Sequence, residues 1–510
     1  MKKTTSNSIK RNLITALSLM MTATMLASCG SGYDGSESRK SGSYNNERTT
    51  AENYRYSNVT AGDTDGTANI GGGYNTEEYN HLTENGYKLV SDEPLSTFST
   101  DVDTASYTNV RRMINDGWEV DPDAVRTEEF INYFKYDYEK PAEGAVSINT
   151  ELSDCPWNSE AKLMLVGLQA REAKVKDVPT NLGADDRVSI VTYAGSDSVV
   201  LEGESGDNSE EIVSALNSLS AGGSTAGAAG ITTAYKLAEE YFIEGGNNRV
   251  ILATDGDLNV GLSSEEELTD LISQKRDSGV YLSVLGFGSG NYKDNRLEAL
   301  ADNGNGNYAY IDSVDEAKRV LVTEMSGTLF TVAKDAKVQI EFNPENVSAY
   351  RLVGYENRLL NDEDFEDDTK DAGDIGSGQQ VTVLYEIVPN NGNEKSLKYQ
   401  DNESKAETNE LSGEMLTVSV RYKDPEASES KLIDKSVMCS DYTEAVSQNF
   451  AKACSAAEFA MVLRNSDYAS GLTAQGVVDY MEQNNVDNSE LFELIYKYMQ
   501  NGTGSEASYW

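Results

Sequence analysis

The chain of 510 residues is longer than one hydrophobic core usually organises, so several domains are expected. Its formal charge of −43, from 85 acidic and 42 basic residues, excludes nucleic acid as a favoured partner, because phosphate binding needs clustered Lys and Arg, and argues against electrostatic attachment to anionic lipid headgroups. With a single histidine, His81, and no Cys-x-x-Cys pair, Ser-His-Asp, Cys-His, polyhistidine zinc and thiol redox chemistry lack their residues.

Residues 1–28 read as an export signal. Lys2, Lys3, Lys10 and Arg11 precede a short apolar stretch, Leu13 to Ala27, too short to span a bilayer. The segment Leu26-Ala27-Ser28-Cys29-Gly30 resembles the bacterial lipobox, which implies cleavage before Cys29, lipidation of that residue and anchoring at an extracytoplasmic membrane face. Residues 29–84 are rich in Ser, Gly, Asn, Thr and Tyr and carry too few aliphatic side chains to offset the entropy of ordering, so a disordered tether is expected. Three further cysteines, Cys155, Cys439 and Cys454, allow one disulfide and a free thiol, or no bond at all. Cys454, at helical spacing with Phe450, Ala457 and Met461, reads as a buried small hydrophobe.

Residues 85–172 read as an α+β module. Leu95 to Val102 predicts a strand, Thr104 to Asn115 a helix started by an Asp/Thr cap, and Pro122 to Phe134 a helix with proline in its first turn. Ser147 to Leu152 and Lys162 to Leu168 predict strands. Residues 173–330 alternate strands and helices, the mark of a parallel sheet with covering helices. The strands are expected at Arg187 to Tyr193, Arg249 to Thr254, Val280 to Phe287 and Tyr308 to Ile311, and the helices at Asn208 to Leu219, Ala226 to Phe242, Ser263 to Lys275, Asp294 to Asp302 and Val314 to Met325. Residues 331–510 turn to alternating strands, Val338 to Phe342, Tyr350 to Tyr355, Gln380 to Val388 and Leu416 to Tyr422, which suggest a small sandwich followed by helices at Ala445 to Arg464, Leu472 to Gln483 and Glu490 to Met499.

In the α/β region, Gly222-Gly223-Ser224-Thr225 opens a helix, and the strand ending Leu252-Ala253-Thr254 delivers Asp255-Gly256-Asp257 at its carboxyl end, where open parallel sheets place ligands. Together with VYLSVLGFGSGNYKDNRLEALADNGNGNYAYIDS, STFSTDVDTASYTNVRR, EEFINYFKYDY, KDAKVQIEFNP and YRLVGYENR, this ordered series resembles bacterial von Willebrand factor A-domain lipoproteins from about Asp92 to near Met499. The resemblance implies a Rossmann-like A domain with an α+β amino-terminal module and a β-sandwich-plus-helices carboxyl-terminal region. It also implies a protein-binding role at a metal-ion-dependent adhesion site, with Mg²⁺ or Mn²⁺ held by Thr225 and Asp255 and with Ser224 and Asp257 at ligand-binding positions.

The first metal loop of that family, Asp-x-Ser-x-Ser after a hydrophobic strand and before a long helix, has no place here. Between Ala170 and Arg187 stand only the 16 residues REAKVKDVPTNLGADD, too few for strand, loop and helix. Asp34-Gly35-Ser36-Glu37-Ser38 matches as a string but lies in the expected tether. Either a deletion has made a metal-independent variant or the sequence carries an internal loss. Buried unpaired backbone is costly, so LMLVGLQA or the Arg187 strand is expected to pair closer to Arg249 to Thr254 than the family's topology would place it. Asp101 to Ser106 lacks the glycine and glutamate of a calcium loop and reads as helix capping, and the eight carboxylates in Asp362 to Asp374 read as a solvated loop before they read as a calcium site. The reading is a non-enzymatic lipoprotein that binds or scaffolds proteins, with a metal-independent envelope scaffold as the alternative and a hydrolase acting through Asp255 and Asp257 a distant third.

Overall fold

The computed structural model describes residues 76–172, 182–193, 197–220, 227–256, 265–390, 413–425 and 427–506. In chain order the strands are β1 (Lys88–Leu89), β2 (Leu95–Ser99), β3 (Val146–Asp154), β4 (Lys162–Ala170), β5 (Arg187–Tyr193), β6 (Asp197–Ser205), β7 (Asn248–Thr254), β8 (Val280–Gly286), β9 (Tyr308–Tyr310), β10 (Thr331–Phe342), β11 (Val347–Val353), β12 (Gly373–Gly376), β13 (Gln380–Pro389), β14 (Glu414–Lys423) and β15 (Ser430–Met438). The α-helices are α1 (Ala105–Asp116), α2 (Thr127–Tyr133), α3 (Ser209–Asn217), α4 (Gly227–Glu240), α5 (Glu265–Asp277), α6 (Asp294–Asn303), α7 (Val314–Lys318), α8 (Met325–Leu329), α9 (Gln448–Arg464), α10 (Ala474–Gln483) and α11 (Ser489–Glu506).

The segments on either side of the α/β region do not form separate modules; they share both sheets of one sandwich. One sheet runs β1-β11-β13-β4-β3; in the other, β10 pairs with β12, β14 and β2, and β14 pairs with β15. Strand β4 shows why. Its run from Leu163 to Ala170 is buried throughout, with Met164, Val166 and Leu168 in the core between the sheets and Leu163 and Leu165 in a second core under the helices. A strand covered on both faces reads as a continuous apolar run whatever sheet it joins. The expectation that LMLVGLQA or the Arg187 strand would pair near Arg249 to Thr254 is therefore corrected. β4 pairs with β13 and β3, and β5 forms an antiparallel hairpin with β6.

The helical core packs α1, α2, α9, α10 and α11 on the outer face of that sheet, with Tyr107, Phe130, Cys454, Phe459, Val477 and Ile495 buried together. α9 is set by Ser447, whose hydroxyl accepts from the Phe450 N–H at its start, and by Asn465 in the left-handed conformation (φ 55) at its end. The described cysteines, Cys155, Cys439 and Cys454, are free thiols, and Cys454 is fully buried as its spacing predicts. One acid sits in this core. Glu458 on α9 is 2% exposed, its Oε2 has no hydrogen-bond partner among the described residues, and burial pushes its carboxyl up to about 8. An unsatisfied buried polar atom costs about 1–3 kcal/mol, so Glu458→Leu is expected to stabilise the fold by an amount in that range, read as a higher urea midpoint. A lower midpoint would mean that the carboxyl is held by a partner after all.

Three local expectations change. The stretch Pro122 to Phe134 is not one helix: Asp121 caps a 3₁₀ turn, Pro122–Ala124, and the extended Arg126 separates it from α2, its N–H taken by the Ser106 hydroxyl. Residues 76–84 are not tether: Thr76 and Glu78 hydrogen-bond to the backbone of Gly290 and Tyr292, and Glu77 pairs with Arg112 at 3.0 Å. α1 has no side-chain cap. The Thr104 hydroxyl accepts from Arg319, while Asp101 and Asp103 turn to Arg358, described below.

Candidate binding site on the α/β domain

β7, β8 and β9 form a parallel sheet whose core of Val250, Leu252, Leu282 and Val284 is covered by Ile231 and Tyr235 of α4, Leu268 and Ile272 of α5 and Leu297 of α6. The apolar strand runs straight into Asp255, which stands exposed at the carboxyl end of β7. The chain then turns at Gly256 (φ +86), where a Cβ would come within 2.8 Å of the Lys293 side chain, so glycine is required there. The Thr254 carbonyl accepts from the Phe287 N–H at 2.9 Å, and the Asp255 carbonyl from the Lys293 N–H at 3.4 Å. Lys293 in turn donates to Glu78 at 2.7 Å and to the Thr76 carbonyl at 2.5 Å, so the start of the described chain lies along the rim of this face.

Among the described residues β7 has β8 as its one strand neighbour. The backbone of Thr254 turns toward β8, while the Ala253 carbonyl points the other way and accepts from the Tyr193 hydroxyl at 2.5 Å, a single bridge to the β5–β6 hairpin. Ile251, on the same outward-facing register, is 44% exposed.

Of the residues singled out from the sequence, the structure places only Asp255 at this face. Cys29, Ser224, Thr225 and Asp257 lie outside the described residues. Among the described residues no group of three or more His, Cys, Asp or Glu is arranged to hold a metal ion. His81 is hydrogen-bonded to Asp123 at 2.7 Å.

What the sequence did not reveal is the ionic seam behind the face. Arg126, 1% exposed, meets Asp294 at 2.7 Å, Glu298 at 3.4 Å and Glu129, joining α2 to α6. Arg358 meets Asp302 at 2.8 Å, Asp101 at 3.3 Å and Asp103 at 3.4 Å, joining the turn after β11 to α6 and to the loop before α1. The Asp101 to Ser106 cluster is thus an interdomain clasp and not a cap. Asp362 to Asp374 is likewise tied down: Asn361 and Asp364 form a capping box, Lys337 donates to the Asp364 carbonyl at 3.0 Å, and Arg276 pairs with Asp371 at 2.7 Å.

Residues 73–165 match a family profile described as von Willebrand factor, residues 169–322 one described as von Willebrand factor type A domain, and residues 327–500 one described as the C-terminal part of "Uncharacterized protein YfbK". YfbK of Escherichia coli (strain K12) is 37% identical over 450 residues, covering 80% of this chain and 78% of the relative. The chain belongs to the YfbK family. Among solved structures, a von Willebrand factor type A protein from Catenulispora acidiphila aligns at 14% identity over 69% of this chain and 89% of its own, with a TM-score of 0.37. A proximal thread matrix protein from the mussel byssus, described with a zinc-occupied MIDAS motif, aligns at 18% identity over 28% of this chain and 36% of its own, with a TM-score of 0.21. In this YfbK-family chain the clasp residues come from all three matched regions: Asp101, Asp103 and Arg126 from the first, Asp294, Glu298 and Asp302 from the second, and Arg358 from the third.

Proposed function

We propose that this YfbK-family chain is a lipid-anchored extracytoplasmic protein that binds or scaffolds other proteins through the carboxyl-end face of its α/β domain. The observation that carries the reading is the exposed Asp255 at the end of β7, beside a strand edge next to which the exposed Ile251 projects from the sheet face. Strand edges with exposed apolar side chains are templates for contact with another chain. Anchoring through Cys29 is an expectation from the lipobox-like segment and rests on sequence alone.

The shortage of residues between Ala170 and Arg187 favours a metal-independent form of this binding. In keeping with a lost metal-loop segment, the alignment with the E. coli relative runs over 450 residues, whereas 80% of 510 residues is about 408, so some 40 aligned positions of the relative have no counterpart in this chain. With Mg²⁺ or Mn²⁺ at millimolar concentration, the unfolding midpoint is expected to stay where it is without ion, in the parent chain and in Asp255→Ala alike. An ion that raises the midpoint of the parent and not of Asp255→Ala would restore the ion-dependent form, because a metal that binds only the folded state must stabilise it.

The binding reading itself is tested in cells. A photo-crosslinking residue at position 251 is expected to capture another protein, and the same residue at the equally exposed position 432 on β15 is not. Cys29→Ser is expected to move the chain from the membrane to the soluble fraction. An absence of crosslinks at 251, or unchanged fractionation, removes the corresponding half of the proposal.

A further inference from the structure

A cavity of about 200 Å³ lies between the α/β domain and the sandwich. Arg249 at the start of β7 lines one wall, Asp374 of β12 and Asp371 another, and Arg358, Asp302 and Asp103 a third. Most of these charges are already paired. Arg358 takes up Asp101, Asp103 and Asp302, and Arg276 takes up Asp371.

Two are not. Arg249 donates to the Ser283 hydroxyl at 2.6 Å and lies over the Tyr281 ring at 5.5 Å, but its buried Nε has no hydrogen-bond partner, and no described carboxylate stands within 4 Å of its guanidinium. Asp374 accepts from the Asp335 N–H at 3.2 Å and has no described cation within 4 Å. Lys334, the other cation nearby, is turned onto the Tyr281 hydroxyl at 3.3 Å. Burial lowers Arg249 to about 10 and raises Asp374 to about 7; the attraction of Asp374 for Arg249 and of Lys334 for Asp374 offsets only part of that burial. Breaking or omitting one partner of a buried pair is costly, so a guanidinium and a carboxylate left facing one cavity call for a ligand that answers both.

We propose that this cavity binds a small zwitterion, a free amino acid or a molecule with the same ammonium and carboxylate pair, its carboxylate on Arg249 and its ammonium on Asp374. The pairing of a planar guanidinium with a carboxylate supplies direction as well as charge. The space of about 200 Å³ has room for a small amino acid. Thr328, Asn305 and Gln379 offer further donors and acceptors at the wall. Because Arg249 lies in the type A domain match and Asp374 in the C-terminal match, such a ligand would tie the two together. The inference does not depend on the protein-binding reading.

The test is calorimetric titration of the full chain with glycine, L-alanine and L-serine, with acetate and ethylammonium at equal ionic strength as half-ligands. One amino acid at least is expected to bind once per chain and to raise the unfolding midpoint by a few degrees. Arg249→Met and Asp374→Asn are each expected to weaken it by roughly tenfold or more, and Lys140→Ala, at an exposed pair outside the cavity, to leave it unchanged. Arg249→Lys keeps the charge and should lose less than Arg249→Met, which provides a second reading if the methionine variant folds poorly. No saturable binding of any amino acid overturns the assignment. So does binding that survives in variants that unfold cooperatively, or acetate binding as tightly as the amino acids, since Asp374 would then contribute nothing.

Discussion

Arg126→Met is expected to destabilise the fold by about 3–5 kcal/mol, the cost of breaking a buried ion pair from one side, and to do so by opening the seam between α2 and α6. The side chain is 1% exposed and is the cation shared by Glu129, Asp294 and Glu298. These acids are also held by neutral donors: the Tyr308 hydroxyl donates to Asp294 at 2.7 Å and the Ser106 N–H to Glu129 at 2.8 Å. Such bonds orient the carboxylates but bring no countercharge. Methionine keeps the apolar stem and removes only the cation, so the loss is electrostatic and not a cavity. The surface pair Lys140–Glu172, with both side chains about 60% exposed, is the contrast, and Lys140→Ala is expected to change stability by under about 1 kcal/mol. Urea unfolding followed by circular dichroism measures both. If Arg126→Met costs no more than Lys140→Ala, the seam is not an ionic clasp.

Folding stability is expected to be greatest near pH 5 and to fall by a few kcal/mol as the pH rises to about 8. Burial pushes Glu458 up to about 8 and Asp374 up to about 7. Burial also raises Glu298, and raises Glu128 with help from the Glu356 carboxylate. For an acid whose folded value lies above its unfolded one, the contribution to stability is fully present below the unfolded value. It is lost as pH climbs through the folded value, because the unfolded chain releases the proton first. The opposite case, Glu386, where Arg351, Trp157 and Tyr87 outweigh burial and lower the carboxyl, costs stability only below about pH 4.5. The optimum therefore falls between the two regimes. Urea midpoints from about pH 5 to pH 9 test the slope, and Glu458→Gln, which cannot ionise, should flatten it. A stability that rises over this window would mean that these acids are ionised and paired in the folded chain.

The same chain shows where sequence reasoning reaches and where it stops. Elements with a strong local period were legible: the Arg187 strand, the apolar Arg249 to Thr254 run ending at Asp255, and α9 with Cys454 on its buried side all stand where their patterns put them. Strands of weaker signal were not. β6 and β15 bury Leu201 and Val437 but expose Val199 and Leu432, and their mixed polar runs gave no clear alternation.

The apolar periods determined the α/β class of the central region, the order of its strongly periodic elements and the position of Asp255, because each depends on a residue and its near neighbours along the chain. Only the tertiary structure decided which sheet received β4, that the first and last matched regions share one sandwich, and that Asp101 and Asp103 serve Arg358. Those outcomes depend on which buried surfaces and charges meet across more than two hundred residues. A carboxylate reads the same in sequence whether its partner is a helix N–H, a metal or a buried arginine from another region.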